Sequence, residues 1–431
     1  MLVSFALNNV KSFRKWEELS LISASKIQEL SHHEINNGRL TILKNAGIFG
    51  ANASGKSNLI KGLSIARDLI VTGRINERNV SFLDDKGKPT SFSFVFDIDD
   101  SLYSYGFTIK PSGILANYLI EDESIDILNK DGTVKTVLYS KSDKEYAGVT
   151  HPILKVFYNQ YFVNAHLLFL TYMNTPEKII MDNKTSSIMK RIFDFFMLDL
   201  VIVDSFSNNY AIINETNINN ISAKLKEYDT GIETADFEKD ERQDFLKTIP
   251  QPIMSALLNN PNANRLSVAN EDELVCISKG SGGTMNVQKL VIRHKNIQTP
   301  FSFHDESHGT KRLFYLIGIL FGGQLKDKVF VIDEIEKGCH PNLIKQLITD
   351  FQNFNIYNNA QLIFTSHLSS LMEDVLRRDE VYFIEKNNLG ISTIYSLLDY
   401  KDRTTSISKR YLEGRFGAVP NLKVNVDATD I

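Results

Sequence analysis

The sequence predicts an α/β fold in which one sheet is encoded in two pieces. An antiparallel β-lobe belongs to the first piece, and a helical insertion separates the two. Three observations predict this. Gly50 to Ser57 reads Gly-Ala-Asn-Ala-Ser-Gly-Lys-Ser, a GxxxxGK[ST] loop between an apolar run and a helical pattern. The apolar run Val329-Phe330-Val331-Ile332 ends in Asp333-Glu334. A third run, Gln361-Leu362-Ile363-Phe364, leads into Thr365-Ser366-His367.

The elements follow in chain order. Leu2 to Leu7 roughly alternates and stops at Asn8-Asn9, which is a strand and its end. Ala46 to Phe49 is a short buried strand feeding the Gly-rich loop, and the helical pattern runs from Ser57 through Leu63 and Ile70. Phe92 to Phe96 and Tyr103 to Ile109 are strands joined by an acidic turn, with further antiparallel strands over 115–128 and 134–139. Residues 151–300 read as mainly helical, interrupted by Pro176, Pro250, Pro252 and Pro261, with a loop at Ser278 to Gly283 and a strand over 288–294. From Phe301 the α/β pattern returns: a helix over 311–322, the acidic strand, a helix over 342–354, the 361–364 strand, and strands over 381–385 and 391–397. The expected division is therefore 1–150, 151–300 and 301–431. The aromatic run Ile192 to Leu198 reads as core with one wet face.

Composition narrows the function less than the motifs do. The chain has 431 residues, 48 Lys and Arg against 52 Asp and Glu, a net charge of −4, 2 Cys and 1 Trp. Near balance argues against a protein that coats DNA by charge alone and against a polybasic membrane binder. Cys276 and Cys339 cannot build a disulfide framework, which fits a reducing cytoplasm. No leader pattern opens the chain, and no apolar run reaches the ~18–20 residues of a membrane span. A cytoplasmic protein is expected.

The chemistry lies in the loop and the strand ends. Gly50 and Gly55 let the backbone of Asn52, Ala53 and Ser54 aim its N–H groups at one anion, aided by the helix N-terminus. Lys56 reaches the β- and γ-phosphates, and Ser57 ligates Mg²⁺. Asp333 is the second Mg²⁺ residue, and Glu334 is the general base that polarises the attacking water. His367 is placed to donate a hydrogen bond near the γ-phosphate. Ser307 and Gly309 form a Ser-x-Gly turn at a helix start, a further anion site. An N-capping serine explains that turn equally well when it is taken alone.

In this order the motifs resemble the ATP-binding-cassette class of P-loop NTPases. The resemblance implies an ATPase with ATP and Mg²⁺, working as a head-to-tail dimer with Ser307 acting in trans on the partner's nucleotide. The wide interval from Lys56 to Asp333 and the start Phe5 to Phe13, with its Asn9-Val10-Lys11-Ser12-Phe13, are similar to the SMC–RecF branch and to OLD-like ATPases. Glu227 to Ile232, Glu306 to Phe314, Asp333 to Pro341 and Tyr411 to Pro420 resemble the stand-alone OLD-like AAA ATPases of bacterial anti-phage systems, of the AbiL, Rlo and PARIS AriA type. His340-Pro341 stands where many cassettes have an aspartate, and no Q-loop glutamine is assigned. Residues 368–431 are too few for the Toprim nuclease domain of OLD nucleases. The resemblance implies a sensor or scaffold in anti-phage defence: a homodimer or higher homo-oligomer controlling a nuclease effector encoded nearby, with DNA or a phage protein as trigger. The alternative is a DNA-repair ATPase of RecF type, with Lys184, Lys190 and Arg191, or Arg377 and Arg378, as a local basic strip.

Overall fold

The computed structural model describes residues 1–75, 80–99, 101–111, 118–142, 167–174, 184–204, 213, 217–239, 265–269, 274–279, 285–401 and 406–420. Pro176, Pro250, Pro252, Pro261 and the loop residues Gly280 to Gly283 lie outside them. The chain divides into two compact units: residues 1–204, 326–335 and 356–431 in the first, and 205–325 and 336–355 in the second.

The first unit holds two large sheets. One is the β-lobe, antiparallel, with strand order β2 (Glu17–Ser20), β1 (Leu2–Asn8), β6 (Thr90–Ile98), β7 (Ser101–Pro111), β8 (Tyr118–Leu128) and β9 (Val134–Ser142). The other has the order β10 (Leu200–Val203), β16 (Val329–Ile332), β17 (Gln361–Ser366), β5 (Asn45–Phe49), β18 (Val381–Lys386) and β19 (Ser392–Ser396). It is parallel from β10 to β18, and only β19 runs antiparallel. A two-stranded ribbon, β3 (Glu34–Asn36) and β4 (Thr41–Leu43), completes its strands.

The physical reason for the central sheet is apolar content on both faces. Every residue of β5, β16 and β17 is buried, as a parallel strand covered on two sides requires. Helix α1 (Lys56–Thr72) is buried around most of its circumference, through Leu59, Ile60, Leu63, Ile65, Ala66, Leu69 and Ile70. Its side chains share one hydrophobic cluster with both sheets. Two shorter helices follow, α2 (Phe169–Met173) and α3 (Lys184–Asp194), the latter running into a π-turn at Phe195–Asp199. The π-turn sets Phe195 against Phe96 and Phe196 against Phe94, each pair 4.8 Å apart and edge to face. The aromatic run is thus core at Phe195 and Phe196 and exposed at Met197 and Leu198.

The second unit is built on an antiparallel sheet of order β11 (Ile232–Lys239), β14 (Met285–His294), β13 (Leu274–Lys279) and β12 (Arg265–Ala269), with β15 (Phe301–Ser302) paired to β14. Its helices are α4 (Ile218–Glu227), α5 (His308–Phe321) and α6 (Pro341–Phe354). Back in the first unit are α7 (Leu371–Asp374) and α8 (Ile407–Leu412).

The expectation of a mainly helical 151–300 is corrected for the described residues. Strands β10 to β14 occupy that stretch alongside α2, α3 and α4. β11 reads Ile-Glu-Thr-Ala-Asp-Phe-Glu-Lys, with Ile232, Ala235 and Phe237 buried and charged residues between them. Its acidic and lysine content hides a half-buried strand. β10 belongs to the mainly parallel sheet, where it pairs in parallel with β16. Arg377 is also no candidate for an exposed basic strip. Its side chain is buried, bonded to Asp379 at 2.9 Å and to Glu34 at 2.7 Å. Lys190 pairs with Asp194, and Arg191 with Asp199.

Candidate active site

The C-terminal ends of β16, β17 and β5 lie along one edge of the sheet, the edge where α/β folds place ligands. The register fixes which residues meet there. Ile332 pairs with Phe364, and Ser366 pairs with Phe49. Strands are about 4.8 Å apart, so β16 and β5 are separated by roughly 10 Å, with β17 between them. The loop from Gly50, the acids Asp333-Glu334 and His367 therefore leave the sheet side by side.

The loop is shaped by its neighbours. Gly55 adopts φ +121°, and a Cβ there would meet Ser12 Oγ at 2.9 Å and collide with Ser392. Ser392 Oγ donates to the Ser54 carbonyl at 2.6 Å and accepts from the Ser12 hydroxyl at 2.8 Å. Asn58 Nδ2 donates to Ser12 Oγ at 2.9 Å. Ser12, from the Lys11-Ser12-Phe13 opening, thus braces the loop and the first turn of α1 against β19. Ala53 holds a left-handed φ of +60° at the exposed tip, beside the exposed Asn52.

Lys56 is buried, and its ammonium donates to the Gly50 carbonyl at 2.8 Å and the Ala51 carbonyl at 3.0 Å. The Ser54 hydroxyl is buried with no hydrogen-bond partner among the described residues. A buried cation and an orphaned hydroxyl inside a turn of backbone N–H groups fit a triphosphate. Ser57, half-buried at the start of α1, and Asp333 would hold Mg²⁺. Among the described residues no group of three or more His, Cys, Asp or Glu forms a metal cage.

The acidic pair is held by a residue that sequence reasoning missed. Thr365 Oγ1 donates to Asp333 Oδ1 at 2.6 Å and accepts the Glu334 N–H at 2.8 Å. The Asp333 N–H donates to the Val203 carbonyl on β10 at 2.8 Å. Asp333 is buried, while Glu334 is half-buried with a left-handed φ of +47°. A non-glycine residue at that angle is strained and persists only where its surroundings over-determine it. His367 is exposed at the end of β17.

Beside the loop lies a cavity of about 430 Å³ whose walls include Lys11, Ser12, Asn58, Phe82, Asp84 and Lys386. It shares Ser12 and Asn58 with the bracing network.

Ser307 and Gly309 belong to the second unit. Ser307 caps α5, accepting the Thr310 N–H at 3.1 Å, and its hydroxyl is exposed. Gly309 is required by close approach, because a Cβ there would collide with the Gly338 carbonyl. Glu306, just before the serine, is buried and bonded to His294 Nε2 at 2.6 Å. His340 caps α6 through Nδ1, which accepts the Asn342 N–H at 3.2 Å, and Pro341 fills the first helical position. The His-Pro pair that departs from the cassette pattern is a helix start.

A family model described as "AAA domain, putative AbiEii toxin, Type IV TA system" matches residues 46–373. No curated protein matches the chain. Among solved structures, the chain is similar to an SMC head bound to the C-winged helix domain of ScpA, at 14% identity over 92% of this chain and 97% of that chain, with a TM-score of 0.43. It is also similar to the SMC head domain from Thermotoga maritima, at 12% identity over 92% and 98%, with a TM-score of 0.40. A third is an SMC head domain with an extended coiled coil bound to the C-terminal domain of ScpA derived from Pyrococcus furiosus, at 12% identity over 92% and 97%, with a TM-score of 0.42.

Proposed function

The chain belongs to the AAA-domain family whose model spans residues 46–373, and from that premise we propose that it binds ATP with Mg²⁺ and hydrolyses it. Lys56 and the N–H groups of the 50–57 loop bind the β- and γ-phosphates. The 430 Å³ cavity seats base and ribose between Phe82 and the two lysines. Ser57 and Asp333 would hold Mg²⁺, which would supply charge neutralisation at the phosphates. Glu334 takes the proton of the attacking water, and His367 donates to the γ-phosphate. The observation that supports this reading is the Thr365 bracket, whose hydroxyl bonds the Asp333 carboxylate and the Glu334 N–H just after β16.

The reading extends to assembly and role. Ser307 and Gly309 complete a partner's site in a head-to-tail homodimer, with higher homo-oligomers built on it. The ATPase is encoded in two pieces on either side of an insertion, with β10 (Leu200–Val203) belonging to the first piece. The protein acts as a sensor or scaffold in anti-phage defence, controlling a separately encoded effector, a Toprim-type nuclease. The family description, which names a toxin and a toxin–antitoxin system, supports that setting.

The test is ATP turnover beside ATP binding. Glu334→Gln is expected to lower kcat by about a hundredfold or more while retaining ATP affinity, and Lys56→Ala to lose binding itself. A Glu334→Gln protein that turns over ATP at the wild-type rate overturns the assignment.

A further inference from the structure

Two stretches that the sequence sets apart take no part in this chemistry. Glu227 to Ile232 is a helix-to-strand turn: Asp229 and Gly231 adopt φ of +51° and +78°, and Thr230 Oγ1 donates to the Leu225 carbonyl at 2.9 Å. The second stretch, around Tyr411 to Pro420, touches the site's own machinery.

Helix α8 begins against the loop that follows His367. Ser408 Oγ donates to Ser369 Oγ at 2.7 Å, two residues beyond the histidine. The Ser408 N–H donates to Glu373 Oε2 at 3.3 Å on α7. The opposite end of the loop is held by Ser366 Oγ, which accepts the Leu368 N–H at 3.0 Å. His367 therefore sits between two hydroxyl anchors, one on its own strand and one on α8.

The rest of the segment is locked to the nucleotide-site sheet. Tyr411 and Phe416 stack on Phe383, with ring centroids 5.5 and 5.9 Å away. Phe383 pairs in register with Phe49, the residue before the phosphate loop. Tyr395 and Tyr400 donate their hydroxyls to the Phe416 carbonyl at 2.8 and 3.0 Å, and Tyr411 donates to the Ala418 carbonyl at 3.1 Å. These aromatic and hydrogen-bonded contacts make 407–418 a stiff strap from the strand beside β5 to the His367 loop.

We propose that the 407–418 strap is a clamp on the His367 loop and that Ser408 is its positioning residue. The proposal rests on the reading of His367 as a γ-phosphate donor. A donor on an exposed loop contributes only if its position is held, since a displacement of about 1 Å is enough to cost rate. Ser408 acts on the histidine through Ser369, to which its hydroxyl donates.

The experiment compares steady-state ATP turnover of Ser408→Ala, Ser408→Thr, His367→Ala and the Ser408→Ala/His367→Ala double variant, with Lys56→Ala as the blank. Losing one neutral hydrogen bond that positions a reacting group predicts a kcat about fivefold lower in Ser408→Ala, with the KM for ATP unchanged. Ser408→Thr keeps the hydroxyl and restores the rate. In the His367→Ala background, Ser408→Ala is silent. Wild-type turnover in Ser408→Ala, failure of threonine to rescue, or a further loss in the double variant each overturns the clamp while the ATPase reading stands. Absence of any Lys56-dependent turnover in the wild type overturns the ATPase reading and the clamp with it.

Discussion

At the scale of single residues, the site depends on partners far away in sequence. Thr365 is one: its hydroxyl serves Asp333 and Glu334 at once. Thr365→Val keeps the shape and removes both bonds. The expected outcome is a kcat lower by roughly tenfold with ATP affinity little changed, and Thr365→Ser close to wild type. Rapid-quench and binding measurements on the two variants check it. Arg377 makes a stability case instead. Its buried guanidinium faces Asp379 and Glu34, beside the buried His33–Glu380 pair. Arg377→Ala strands those carboxylates and is expected to cost about 3–5 kcal/mol, read as a shift of the urea midpoint. The phosphate loop was legible because eight consecutive residues carry it. The Thr365 bracket was not, because it depends on the β16–β17 register, which no local pattern encodes.

At the scale of elements, short pieces are held by buried polar groups. Helix α2 is five residues long and too short to be stable alone. Glu123 on β8 accepts the N–H groups of Phe169 and Leu170 at 2.6 and 3.1 Å and the Tyr105 hydroxyl at 3.0 Å. Burial pushes the Glu123 carboxyl up from 4.5 to about 7, against the donors and the nearby Lys141, which favour the anion. Between those two values the folded chain keeps a proton that the unfolded chain has lost. The group's contribution is therefore full below about 4.5 and declines as pH rises toward 7. At about 1.4 kcal/mol per unit the swing is roughly 3 kcal/mol. Thermal melts across this range are expected to fall with pH in the wild type and to flatten in Glu123→Gln. Elements with plain periodicity, such as α1, β16 and β17, stood where the pattern put them. β10 escaped notice because Leu200–Val203 directly follows an aromatic helical run, and β11 because charged residues fill its outward positions.

At the scale of the whole molecule, the chain is one P-loop sheet with its lobe and a second compact unit that carries the Ser-x-Gly helix. Among the described residues no helix is long and apolar enough to cross a membrane. The split of the sheet was legible, because the phosphate loop and the acidic strand are plain apolar-run motifs wherever they fall. The make-up of the intervening stretch was legible only in part: the strand over 288–294 was plain, but β11 sets charged residues between its apolar ones and β10, Leu-Val-Ile-Val, follows an aromatic run. In the proposed head-to-tail dimer, Lys56 of one protomer and Ser307 of another complete a single site. Lys56→Ala and Ser307→Ala are each expected to be inactive alone. A mixed dimer holds one site with both residues intact, so mixing the two inactive proteins is expected to restore ATP turnover, toward half that of the wild type per mixed dimer. Turnover that stays at the level of the separate variants, with mixed dimers demonstrably formed, would contradict the account.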